Sequence, residues 1–338
     1  MTTVSDRAEP GERGARRGRR ITSLEVLCGL VLVAVLGQQW LQGVLDAPAV
    51  RTGATIFVAV CVQALPFLVL GVLVSGAITA FIPPHVLRKM LPRKQSLAVP
   101  VAGAAGLALP GCECASVPVA RRLMGQGVAP AVALTFLLAA PAVNPVVLVS
   151  TAVAFPGEPG MVLARFLGSL GTAVGMGWLW ARFGRAEWIA ERALRRMPDA
   201  GGSRWVSFAE TARHDLVEAG GFLVLGGLVS AVLNVAVPQS WLGSLGGQLV
   251  LGVLVMALLA VVLSLCSEAD AFVAAALSPL PLLPKLVFLV VGPAVDVKLI
   301  ALQAGTFGRA FAARFAPATF LVALGCAVLA GLLVLGAR

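Results

Sequence analysis

The sequence predicts an all-α polytopic membrane protein, and three observations predict it. Only 12% of the side chains are charged while 59% are hydrophobic, against roughly 25% and 45–50% in ordinary soluble domains. Mean hydropathy is +0.93. The apolar residues also gather into stretches of about the 20 residues that cross a bilayer core. A water-soluble particle could not hide that much apolar surface.

The elements follow in chain order. Residues 1–23 read as a disordered, Arg-rich cytoplasmic tail, with Arg16, Arg17, Arg19 and Arg20 directly before the first apolar run. No small-residue cleavage site is clear there, so 24–53 reads as a retained transmembrane helix and its loop rather than a signal peptide. The stretches 24–45, 54–82, 97–120, 129–155, 161–181, 216–237, 247–277, 283–304 and 317–336 qualify as spans or nearly so. Residues 54–181 form a first repeat and 216–338 a second with its C-terminal helix. Between them, 182–215 is a charged linker carrying Arg182, Arg185, Arg192, Arg195, Arg196, Arg204 and Arg213 among acids. Its spacing predicts an amphipathic helix, a break at Pro198–Gly202 and a second polar turn.

The chain carries a net charge of +10 and a pI near 10.4. Its Lys and Arg sit in short stretches between apolar segments, where they meet anionic headgroups and set topology. No basic groove with interleaved aromatics is present and Tyr is absent, which excludes nucleic acid as the main partner and leaves the lipid bilayer. The six cysteines (Cys28, Cys61, Cys112, Cys114, Cys266, Cys326) lie in or beside apolar runs, unlike a secreted disulfide framework.

The halves match. Leu68-Val-Leu-Gly-Val-Leu-Val-Ser75 aligns with Leu223-Val-Leu-Gly-Gly-Leu-Val-Ser230, Cys112-Glu113-Cys114 with Cys266-Ser267-Glu268, and Pro141-Ala-Val-Asn144 with Pro293-Ala-Val-Asp296. Internal duplication of this kind is the common design of secondary transporters. Positive-inside bookkeeping favours segments near 97–120 and 247–277 that are broken or re-entrant. The tail, the Arg88–Lys94 loop, Arg121 and Arg122, the linker, and Arg309 and Arg314 then all become cytoplasmic. The expected architecture is two inverted-topology repeats with about 7–9 transmembrane helices in a bacterial inner (cytoplasmic) membrane, N-terminus cytoplasmic.

Leu109-Pro-Gly-Cys-Glu-Cys-Ala-Ser-Val-Pro118 breaks a helix inside an apolar segment, which membranes tolerate only where backbone lines protein or water. On extended backbone, Cys112 and Cys114 can face one cavity. Glu113 costs roughly 2.5–3.5 kcal/mol to insert and so calls for a paired or wet site. Cys266, Glu268 and Asp270 are the counterpart, and three converging thiols (Cys112, Cys114, Cys266) suit a soft metal or metalloid. Plainer readings are thiols as small hydrophobes and acids that snorkel or cap a helix. Asn144 and Asp296 each pair a helix break with a polar group, and freed helix ends offer N–H and C=O groups to an ion or substrate. Asp296 and Lys298 alternatively neutralise each other. A carboxylate here is also a candidate proton carrier, with protons as coupling ion.

Cys28, Cys61 and Cys326 read as packing residues. His85 and His214 lie in loops without a second ligand. Gly168, Gly171 and Gly175 read as close-packing positions, and Arg165 as a snorkelling or pairing residue, with a substrate contact as the alternative.

At Gly111-Cys-Glu-Cys-Ala-Ser-Val-Pro-Val-Ala-Arg-Arg122, Phe136-Leu-Leu-Ala-Ala-Pro-Ala-Val-Asn-Pro-Val-Val147, Cys266-Ser-Glu-Ala-Asp-Ala-Phe272 and Gly292-Pro-Ala-Val-Asp-Val-Lys298, the chain resembles the predicted-permease family that includes the ArsP organoarsenical efflux permeases and the YraQ-like proteins. The resemblance covers roughly residues 55–335. It implies a permease, with efflux of trivalent organoarsenicals or soft metal ions in some members and metalloid binding by Cys112 and Cys114. The more usual pattern is Cys-Ser-Cys-Gly; here Glu113 replaces the serine and Ala115 the glycine, which favours a cationic metal over a neutral arsenical.

Together these residues predict a gradient-driven permease, not an enzyme, with no cofactor and no ATP-binding loop. Substrate-binding candidates are Cys112, Glu113, Cys114, Asn144, Cys266, Glu268, Asp270 and Asp296, with Cys112, Cys114 and Cys266 as metal ligands. A membrane thiol-disulfide oxidoreductase competes, although redox pairs usually have two residues between their cysteines. A permease for an unrelated small solute is the other alternative.

Overall fold

The computed structural model describes residues 48–81, 92, 94–108, 113–190, 193, 204–236, 249–277 and 280–336. The chain divides into Met1–Arg51, described only from Pro48, and a compact unit Thr52–Arg338. The expected tail, the apolar stretch 24–45, Cys28, His85 and the Pro198–Gly202 break lie outside the described residues.

Among the described residues every regular element is helical. The first set comprises α1 (Pro48–Phe81), α2 (Gln95–Ala105), α3 (Glu113–Gly125), α4 (Pro130–Val143), α5 (Pro145–Ala154) and α6 (Pro159–Phe183). A second set follows in the same order: α7 (Arg204–Ala236), α8 (Leu249–Leu263), α9 (Asp270–Ala276), α10 (Leu282–Ala294), α11 (Val297–Thr306) and α12 (Arg309–Val334). Each set runs as a long helix, two broken helices and a second long helix.

Six stretches among the described residues are long and apolar enough to cross a membrane: Pro48–Ile78, Pro130–Ala154, Pro159–Phe183, Trp205–Val232, Leu282–Thr306 and Arg309–Val334. Leu249–Leu263 is a shorter apolar helix. Both segments expected to break do so. α2 gives way to a 3-10 turn at Gly106–Ala108 before α3 begins at Glu113, and α8 stops at Leu263, six residues short of α9.

α4 and α10 are buried on nearly every face, as expected of helices that are apolar all round. Each centres one of two apolar cores. The first joins Leu134, Leu137 and Leu138 to Phe307, Phe311 and Phe315, and the second joins Leu286, Phe288 and Val290 to Met256 and Ala323. α6 and α12 pack antiparallel: Gly160 lies by Leu335, Gly171 by Cys326 and Trp180 by Phe311. The small residues of α6 do serve close packing, as the spacing predicts.

The linker ends earlier than its composition suggests. α7 begins at Arg204 rather than near 216, because the polar residues of its first turns find buried partners; Thr211 and Asp215 are each only 4% exposed. α7 and α11 also run antiparallel, with Gly226 facing Lys298 and Phe222 facing Gly305. This puts the start of α7 and the end of α11 at one end of the bundle. Arg122 on α3 joins them there through Asp215. The turn after α6 does so through the Ala190 amide, which donates to the Phe307 carbonyl at 2.7 Å, and through Trp188 under the Arg314 guanidinium.

Candidate functional site

The four helix breaks place Glu113, Asn144, Asp270 and Asp296 in the bundle interior. Asn144 divides the 25-residue span Pro130–Ala154, and Asp296 the 25-residue span Leu282–Thr306. Pro145 occupies the first position of α5, where its missing N–H costs nothing. Asn144 Oδ1 accepts from the Val147 amide at 3.0 Å, and Asp296 Oδ1 from the Leu299 amide at 2.5 Å. Both residues therefore cap the N-terminus of the helix that follows. Asn144 also donates from Nδ2 to the Ala140 carbonyl at 3.0 Å.

An ion pair links each of the two breaks before α3 and α9 to the other half. At the first break, Glu113 opens α3 at 1% exposure. Its Oε1 lies 2.5 Å from Lys298 Nζ on α11. The lysine is 3.9 Å from Asp296 Oδ2 and donates to the Ser264 carbonyl at 3.4 Å. Asp296 and Lys298 thus do not simply neutralise each other; the nearer partner is Glu113, because the two-residue offset points Lys298 toward α3. At the second break, Asp270 opens α9 and receives both oxygens' contacts, each 2.9 Å, from Arg165 NH2 on α6. Arg165 is fully buried; it also donates to the Ser267 carbonyl at 2.9 Å and to Thr151 Oγ1 at 2.7 Å. Of the readings open for Arg165, pairing is the one seen.

Cys114 and Cys266 are buried and form no disulfide. Lys298 lies within electrostatic reach of both, and of Glu113 and Asp296. Glu268 lies within reach of Glu113, Arg165 and Lys298. The site so assembled holds two more carboxylates (Glu113, Glu268, Asp270, Asp296) than cations (Arg165, Lys298). Glu113 Oε2, both carboxylate oxygens of Glu268, and Asp296 Oδ2 are buried without a hydrogen-bond partner. Buried charge left this way is costly unless something neutralises it, so the arrangement suits a cation or protons. Cys112 lies outside the described residues. Among the described residues no three His, Cys, Asp or Glu side chains gather as a metal site.

The matched glycines of the Leu-Val-Leu-Gly motifs bring the long helices onto these residues. A Cβ on Gly71 would collide with the Ala115 backbone, beside Cys114, and one on Gly226 would lie 2.9 Å from Lys298 Cα. Only glycine permits such backbone approach.

A second polar network, unforeseen from sequence, sits at the Arg-rich end. Arg122 holds Asp215 with Nε at 3.0 Å and NH2 at 2.5 Å, Ser75 Oγ donates to Asp215 at 2.7 Å, and Arg121 pairs with Glu218. His214 lies 3.7 Å from both acids. The one hint was Asp215 and Glu218 at helical spacing, facing a predicted Arg-Arg pair.

A family model described as a predicted permease matches residues 50–334. The UPF0718 protein YcgR of Bacillus subtilis (strain 168) is 34% identical over 284 residues, covering 82% of this chain and 94% of the relative. A Streptococcus mutans protein, named provisionally as a two-component membrane permease complex subunit, is 31% identical with the same coverage. No solved structure matches. The family description and the name of the Streptococcus mutans relative point to a transporter rather than an enzyme. This multi-pass membrane protein belongs to the predicted-permease family.

Proposed function

We propose that the chain is an efflux permease for a thiophilic metalloid or metal, a trivalent organoarsenical or a soft metal ion. The observation that carries this reading is the buried centre where both breaks meet, with the thiols of Cys114 and Cys266 beside an excess of carboxylates. Soft ligands select soft cations. Cys112, Cys114 and Cys266 bind the substrate. Glu113, Glu268, Asp270 and Asp296 balance its charge or carry coupling protons, and Asn144 positions backbone or substrate.

Two inverted repeats that rock about this centre give alternating access. The recurrence of element order and the antiparallel run of the counterparts α6 and α12 support this reading. The gathering of Arg121, Arg122, Arg314 and the start of α7 at one end supports assigning that end, and the N-terminus, to the cytoplasm of a bacterial inner membrane.

The test is uptake of methylarsenite, arsenite, Cu(I), Zn(II) and Cd(II) into everted membrane vesicles, with and without a proton gradient. Wild type is compared with Cys112→Ser/Cys114→Ser. Accumulation of one thiophilic species that depends on the cysteines is expected. Accumulation of none, or transport indifferent to both cysteines, overturns the reading.

A further inference from the structure

We propose that Lys298 is a tethered cation that occupies the cation position of the central site while it is empty, and that an incoming cation displaces it. The inference rests on the permease reading above and names what the empty site does with its charge.

The Lys298 ammonium sits among oxygens drawn from three segments: Glu113 Oε1 at 2.5 Å, the Ser264 carbonyl at 3.4 Å and Asp296 Oδ2 at 3.9 Å. Two carboxylates and a carbonyl around one point form the kind of oxygen set that takes a metal or monovalent cation. Glu113 and Asp296 are each at most 1% exposed, and Glu113 Oε2 and Asp296 Oδ2 lack hydrogen-bond partners. The position is therefore built for positive charge and is only partly satisfied by one ammonium.

The contrast with Arg165 separates a movable charge from a strut. Arg165 is held through two nitrogens of a rigid planar guanidinium, NH1 donating to Thr151 Oγ1 and NH2 to the Ser267 carbonyl and the Asp270 carboxylate. Lys298 meets its partners through a single atom on a flexible four-carbon stem. It can leave Glu113 by rotating about that stem while α11 stays pressed against Gly226. An occupant that keeps the site filled for nine-tenths of the time lowers the apparent affinity of a competing cation by about tenfold. It also keeps the empty centre from exposing uncompensated carboxylates as the carrier returns.

Equilibrium binding of Cd(II) to the purified full-length protein in detergent tests this. Lys298→Met is expected to bind Cd(II) about tenfold more tightly than wild type, Lys298→Arg no more tightly than wild type, and Glu113→Gln more weakly. A lysine that only braces the fold gives the reverse for Lys298→Met: weaker or unchanged binding, which overturns the inference and leaves the permease site standing. In wild type, needing no variant to fold, acetylation of Lys298 by acetic anhydride, read by peptide mass spectrometry, is expected to rise severalfold on saturation with Cd(II). Protection, or no change, again overturns the inference. Cd(II) binding by neither wild type nor Lys298→Met overturns both the soft-cation site and the tethered cation.

Discussion

Lys298 pairs with Glu113 at 2.5 Å across the two halves rather than with Asp296, its neighbour in sequence, at 3.9 Å. Arg165 and Asp270 do the same in the opposite sense, the cation from the first half and the acid from the second. Each broken segment is therefore held by a charge that the other half provides, and the halves cannot separate at this level without stranding ions in an apolar interior.

Removing one member of a buried pair leaves the other uncompensated, at a cost of about 3–5 kcal/mol. Glu113→Gln and Lys298→Met are each expected to lower the unfolding temperature of the detergent-solubilised protein sharply. Glu113→Gln combined with Lys298→Met removes both charges and is expected to recover most of the loss. A thermal-unfolding double-mutant cycle reads this coupling; additive losses would refute it.

Asp296 holds a cap with one oxygen and faces Lys298 with the other, and substitutions separate the two roles. Asp296→Asn keeps an acceptor for the Leu299 amide and is expected to retain near-wild-type stability while altering cation uptake into vesicles. Asp296→Ala loses the cap too and is expected to lose a further ~1 kcal/mol. Asn144→Ala, which removes the corresponding cap on α5, is expected to cost about the same. Unfolding temperatures measured beside uptake check all three.

Gly226→Ala would force a Cβ to within 2.9 Å of Lys298 Cα, whereas Gly220→Ala meets nothing within 4 Å. The first is expected to destabilise by about 1–3 kcal/mol and the second by less than about 0.5 kcal/mol. Equal effects in thermal unfolding would show that the α7–α11 approach is not tight.

Both breaks and both capping positions were legible in the sequence because prolines, glycines and ionisable groups inside apolar runs are local signals. Glu113, Asp270 and Asp296 stood out for that reason, and all three are buried. Partner identity was not legible. Glu113 with Lys298, Arg165 with Asp270 and Arg122 with Asp215 are tertiary pairings between distant helices, and a single sequence carries no signal of which cation reaches which acid. The start of α7 was missed for the same reason: residues 204–215 look like a solvated linker until Asp215 is seen closed by Arg122 and Ser75.

Ser264 has a φ of 48°, a left-handed conformation that costs a residue with a side chain about 1–2 kcal/mol. It stands where α8 stops, and its carbonyl is the one Lys298 reaches. The second break is therefore a loaded spring. Any rearrangement that lets residue 264 return to ordinary backbone angles recovers that energy, close to the 1.4 kcal/mol that shifts a two-state population about tenfold. A glycine there would slacken the spring and bias the resting population toward the arrangement seen here.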